Sequence, residues 1–186
     1  MTEFDTEQDS GVTYLTREVA AADYIVRYRD PVRFLECCKV CPSFGRTYKC
    51  PPITGERNMD FSPFTTARII VAKIPIPPRT PVSEASSILN PIRLKLEKNL
   101  LDMERQTAGS RAFCCTATDG CDFCSGTACA RLSEEPCRHP ELVRPSLEAY
   151  GFDLSATLSD LFCLEMLWGK DGYLPSYLVL IGAVFQ

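Results

Sequence analysis

Eight of the chain's eleven cysteines fall into two tight groups, and thiolates this close in sequence can converge on one metal centre. The first group reads Cys37-Cys38-Lys39-Val40-Cys41, then eight residues to Cys50, which Pro51 and Pro52 follow. The second reads Cys121-Asp122-Phe123-Cys124, then four residues to Cys129 and seven more to Cys137. A cysteine pair two residues apart is a usual half-site for zinc and for iron–sulfur clusters. The second group offers four ligands: Cys121, Cys124, Cys129 and Cys137. The first offers Cys38, Cys41 and Cys50, with Cys37 as a candidate fourth. In an extended segment neighbouring side chains point to opposite sides, so Cys37 and Cys38 are not expected on one ion. The fourth ligand of that site then comes from elsewhere, with Cys114 or Cys115 as candidates, or the position stays open to a substrate.

Three features favour an iron–sulfur cluster, a [4Fe-4S] cubane at one or both groups, over the alternative, Zn2+. The chain has a single histidine, so mixed Cys/His zinc sites are scarce. Cys50 is followed directly by proline and so is Cys41, as is one cysteine of the bacterial ferredoxin run. Phe44, Tyr48 and Phe123 lie near the cysteines in sequence and could shield a cluster from water. His139, two residues after Cys137, could be a ligand, but a helix start beside Pro140 is the reading preferred. Cys114, Cys115 and Cys163 read as core thiols, because free cysteine behaves as a small buried hydrophobe. The odd cysteine total also leaves one thiol out of any pairwise bridging scheme.

Arg144-Pro145-Ser146-Leu147-Glu148-Ala149 is a third candidate stretch. Arg144 and Glu148 are cofactor-binding candidates: Arg144 could balance a thiolate-ligated cluster or bind an anionic substrate. The structural alternative is an Arg144–Glu148 pair four residues apart, with Ser146 capping the turn that follows. Lys39, Arg46, Lys49, Arg131 and Arg138 could compensate thiolate charge, but as isolated surface charges they would contribute little.

Composition bounds the rest. A chain of 186 residues suits one domain with a real hydrophobic core. A net charge of −4 argues against a general nucleic-acid binder. The longest apolar run, 177–185, is strand-length, so no membrane span is expected. Residues 1–10 are acidic and polar, unlike a signal peptide, and are expected to be a flexible terminus ahead of a single cysteine-rich metal-binding domain over 11–186. The chain is therefore expected in the cytoplasm, where clustered thiols more often mean metal than disulfide.

The cysteines need elements to hold them. Short strands are predicted over 11–15 and 24–28. Asp30 caps a short helix over 31–36, with Pro31 at its first position, leading into the first cysteine group. Residues 41–63 are turn-rich, and metal coordination would give so long a loop a reason to be ordered. The β-branched stretch 67–76 reads as a buried strand that Pro77 and Pro78 end. Ala85, Ile88, Ile92, Leu96, Leu100 and Met103 recur at helical spacing, with Asn90-Pro91 marking a kink or a second start. A strand over 111–116 leads to the second group. Gly151 closes a turn over 146–150, Asp153 or Ser155 caps a helix through Leu158, Leu161, Phe162 and Leu167, and 177–185 is the last strand. Strands alternating with helical segments predict an α/β (α+β) fold: a single mixed sheet flanked by helices, with two cysteine-rich metal-binding loops.

Cys38-x2-Cys41-x8-Cys50-Pro51-Pro52, Gly120-Cys121-x2-Cys124, Cys137-Arg138-His139-Pro140 and Arg144-Pro145-Ser146-Leu147-Glu148-Ala149-Tyr150-Gly151, in this order, resemble the family of domain of unknown function 2284. Its members are described as predicted metal-binding proteins. The resemblance implies a small cytoplasmic metal-binding protein with no settled activity. It also implies a second group running Cys-x2-Cys-x2-Cys. Here four residues separate Cys124 from Cys129, as an insertion of two within 125–128 would explain.

The expected function is electron transfer or a reductive reaction on iron–sulfur, with a redox partner protein and without nucleic acid or membrane. The alternatives are a structural zinc-binding interaction module and a metalloenzyme with an open coordination site. No phosphate loop, dinucleotide fingerprint or nucleophile–base pattern is present.

Overall fold

The stretch Thr66–Pro75 places Ala67, Ile69 and Val71 on one face of a strand and Ile70, Ala72 and Ile74 on the other. Tyr177–Phe185 alternates likewise, with Ile181, Ala183 and Phe185 opposed to Leu180 and Val184. Strands apolar on both faces must be covered on both. A computed structural model describes residues 5–9, 11–53, 59–115, 121, 123, 124 and 126–186. It contains β1 (Asp5–Asp9), β2 (Val12–Ala20), α1 (Ala21–Tyr28), α2 (Pro31–Lys39), β3 (Thr66–Pro75), α3 (Ala85–Gln106), β4 (Arg111–Phe113), α4 (Leu154–Phe162) and β5 (Tyr177–Phe185). The sheet order is β1-β2-β3-β5-β4. On one face α1, α4 and the 147–152 segment bury Tyr24, Tyr28, Leu147, Phe152, Leu158 and Phe162 against the sheet. On the other, α3 buries Leu96, Leu100 and Leu101. Gly182 lets α3 approach β5, because a Cβ there would lie 2.3 Å from a methyl carbon of Leu100 and 3.0 Å from the Phe113 carbonyl oxygen.

The α+β class stands, but the sheet is antiparallel at every pairing rather than mixed. Strands β3 and β4, joined by α3, do run parallel; β5 inserts between them and pairs antiparallel to each. The split crossover hides its parallel pair from any local pattern.

Other expectations need correction. Residues 24–28 form a helix, not a strand: Ala21, Tyr24 and Tyr28 share its buried side, a 3.6-residue period that the short Tyr-Ile-Val run conceals. Residues 5–9, expected to be a flexible terminus, pair with β2. The helix α2 runs past residue 36 to Lys39 and so carries Cys37 and Cys38. The α3 pattern is one helix with Pro91 inside it. His139-Pro140 opens a single turn rather than a helix, with the Leu142 and Val143 amides donating to the His139 carbonyl. The helix α4 stops at Phe162, short of Leu167. Cys163 closes it in the left-handed conformation (φ 54°) and is exposed, not core. Asp30 and Asp153 cap as expected, accepting from the Arg33 and Ala156 amides at 3.0 and 2.9 Å. Among the described residues no helix is long and apolar enough to cross a membrane.

Candidate metal centre

The last turn of α2 presents Cys38 half-buried and turns Cys37 to solvent. On a helix, neighbours differ by about 100°, so the two thiols diverge even though the segment is not extended. The Cys41 amide donates to the Cys38 carbonyl at 2.9 Å, closing the turn that carries the Cys-x2-Cys pair. The chain then folds back: the Gly45 amide reaches the Pro51 carbonyl at 2.8 Å, and the Cys50 amide reaches Thr47 at 3.3 Å. Cys38, Cys41 and Cys50 line one cavity of about 230 Å3 together with Lys49, Ser146 and Glu148. Burial pushes the Cys38 thiol up, and the Glu148 carboxylate and neighbouring thiols add to it. Burial also raises Cys50, against the opposing pull of Thr47, Arg131 and Lys49. Such thiols ionise readily only when a cation replaces the lost solvation.

The second group is mounted on the first. Arg131, in the 3-10 turn Ala130–Ser133, donates to the carbonyls of Thr47, Cys50 and Pro52 at 2.7, 2.6 and 2.7 Å. The Tyr48 hydroxyl donates to the Glu135 carbonyl. Within the group, Thr127 closes a turn on the Cys124 carbonyl at 3.0 Å, and Arg138 donates to the Ala128 carbonyl at 2.9 Å. Cys121, Cys124, Cys129 and Cys137 are all half-buried. Burial raises the Cys121 thiol; the Phe123 amide and Lys49 oppose this, while Cys129 and Cys137 reinforce it. His139 places its ring 6.3 Å from that of Phe123.

Behind both groups lies a buried charge cluster. Lys49 and Glu97, 1% and 3% exposed, form an ion pair, and Arg93 reaches the second carboxylate oxygen at 3.2 Å. The Lys49 ammonium also sits 5.2 Å from the centre of the Phe123 ring. Cys114 and Cys115 are buried beside α3, as core thiols should be. Burial pushes Cys114 up to about 12 and Cys115 well above its ordinary value.

The Arg144–Gly151 stretch serves the site by holding it. Arg144 does not pair with Glu148. Its guanidinium forks onto Glu104 of α3, with Nε 3.0 Å from both oxygens and Nη2 2.6 Å from Oε1. Ser146 accepts from the Ala149 amide at 3.3 Å, the expected cap. Gly151, at φ 89°, lies so near the start of α2 that a Cβ would stand 2.4 Å from the Pro31 Cα. This contact sets α2 against the Glu148–Tyr150 turn and brings Glu148 to the cysteine cavity. Lys49 and Arg131 stand beside the Cys50 thiol as the compensating charges expected from the sequence, whereas Glu97 and Glu104 escape sequence reading as parts of the site. A signal existed for both: Arg93, Glu97, Leu100 and Glu104 recur every three or four residues along one side of α3, and charged residues sharing a side with a buried leucine call for partners.

Among the described residues, no three His, Cys, Asp or Glu side chains are drawn together around a single ion. The chemistry of the donor set still fits a metal: three thiols and a carboxylate open onto one cavity, with the cationic Lys49 beside them. No curated protein and no solved structure matches this chain. The family model described as predicted metal-binding protein (DUF2284) matches residues 18–181, and the chain belongs to that family.

Proposed function

We propose that the protein is an iron–sulfur protein acting in the cytoplasm in electron transfer or a reductive reaction, together with a redox partner protein. Cys38, Cys41 and Cys50 would hold one cluster, and Cys121, Cys124, Cys129 and Cys137 a second. The cavity of about 230 Å3 onto which the first three thiols open carries this reading. Zinc draws each thiolate to about 2.3 Å from one point; a polynuclear cluster instead fills a space and keeps its thiolates apart. When bound, it supplies one-electron chemistry. Lys49 and Arg131 offset the thiolate charge at Cys50, Phe44 walls the cavity, and the turn from Cys38 to Cys41 fixes two ligands on one side.

A specific observation favours a second reading, a metalloenzyme with an open coordination position. Among the described residues, the cavity lining holds three cysteines and no fourth, with Glu148 and Ser146 facing the same space. Glu148 would there exchange a proton with a bound substrate.

The test is iron, zinc and acid-labile sulfide analysis, with an absorption spectrum, on protein purified without air. Iron and sulfide with a dithionite-bleachable brown colour are expected. Zinc without sulfide would overturn the proposal in favour of a structural zinc module.

A further inference from the structure

Lys49 stands directly before Cys50 in the first cysteine loop and meets the second loop at the Phe123 ring. Its side chain is buried and lines the cavity of Cys38, Cys41 and Cys50. Its ammonium lies 5.2 Å from the centre of the Phe123 ring, and Phe123 stands between Cys121 and Cys124 in the chain. Glu97 accepts from this ammonium but is not part of the cavity lining. A charge removed from water and salt acts at such separations with far less screening than a surface lysine would.

We propose that Lys49 is a positioning charge shared by the two cysteine groups, stabilising the reduced, more negative form of the cluster at each, with Glu97 partly offsetting it. The proposal rests on the iron–sulfur reading. One-electron reduction adds one negative charge, the electron coming from the external reductant, and no bond to Lys49 forms or breaks. The attraction between that added charge and the ammonium raises the midpoint potential. Removing the ammonium therefore lowers the potential, and removing the carboxylate of Glu97 raises it. Lys49 lines the cavity of the thiols and Glu97 does not, so removal of Lys49 gives the larger shift.

The experiment is a mediator-monitored redox titration, followed by electron paramagnetic resonance, on the full chain purified without air, with iron and sulfide assayed for every variant. Lys49→Met is expected to shift the midpoint of each cluster signal to lower potential, Lys49→Arg to restore it, and Glu97→Gln to shift it upward. A merely structural role for the ion pair would reduce loading or stability in both variants without opposite shifts. Equal potentials throughout, or shifts of one sign in Lys49→Met and Glu97→Gln, would overturn the proposal while leaving the iron–sulfur reading standing. Zinc without sulfide in the unsubstituted protein overturns both. Should Lys49→Met fail to fold, the upward shift in Glu97→Gln and the unchanged value in Lys49→Arg decide the matter.

Discussion

The two cysteine groups are built in different ways. The first is an extension of the folded core: Cys38 rides on a helix, the Cys38–Cys41 turn is closed by a backbone hydrogen bond, and Cys50 is buried next to a buried lysine. The second consists, among its described residues, of turns and one 3-10 segment, and Arg131 and Tyr48 join it to the first loop rather than to the sheet. The first group thus inherits its geometry from the sheet and helices, while the second inherits much of its geometry from the first. Damage should therefore spread from the first group to the second more readily than the reverse.

The largest effect expected is on metal content. Cys38→Ser should remove the metal of the first group entirely, whereas Cys37→Ser, one position away but facing solvent, should leave it unchanged. Elemental analysis of the two variants checks this, and equal loss in both would refute the helix geometry. Next is Gly151→Ala. Its Cβ would collide with the Pro31 backbone, and its φ is positive, so a loss of about 3 kcal/mol is expected from overpacking and backbone strain together. Thermal unfolding measures it, and loss of metal from both groups is the accompanying sign that α2 has moved.

Arg131→Ala tests the joint itself. It removes three charge-assisted hydrogen bonds from a half-buried guanidinium, and such bonds are worth about 1.5–3 kcal/mol each without adding fully. A stability loss of about 2–3 kcal/mol is expected, with poorer metal retention in the second group than in the first. Retention that is equal in both would break the comparison.

The smallest effect lies behind the groups. Burial alone would raise the Glu104 carboxyl, but the Arg144 fork and the Ala112 amide hold it below its ordinary 4.5. A carboxyl with a lowered folded value contributes stability that is full above the ordinary range and is lost as pH falls through the folded value. Glu104→Gln should therefore cost about 1–2 kcal/mol at neutral pH, and the gap from the unsubstituted protein should close on acidification below the ordinary value of 4.5. Urea unfolding across that pH range gives the curve; a gap independent of pH would show that the ionised fork contributes nothing.

Much of this was legible locally. The two cysteine spacings, the Asp30 and Asp153 caps, the long α3 pattern and the apolar runs of β3 and β5 all depend on neighbours a few residues apart. The α1 segment misled because Tyr-Ile-Val is equally at home in a strand, and only burial of Ala21, Tyr24 and Tyr28 together selects the helix. Arg144 misled because the carboxylate at helical spacing from it, Glu148, is not the one it meets in space; Glu104 lies forty residues away.

By itself the sequence determined which atoms can ligate, where the Asp30 and Asp153 caps start their helices and where the apolar strands β3 and β5 run, since these follow from spacing, capping and period over a few residues. Tertiary structure alone decided that Cys37 is turned out while Cys38 is turned in, that β5 enters between β3 and β4, that Lys49 meets Glu97, and that Arg131 ties one cysteine loop to the other. These contacts join segments tens of residues apart. They form only when burial of both sheet faces brings those segments together, and no local pattern encodes which partner a buried charge will find there.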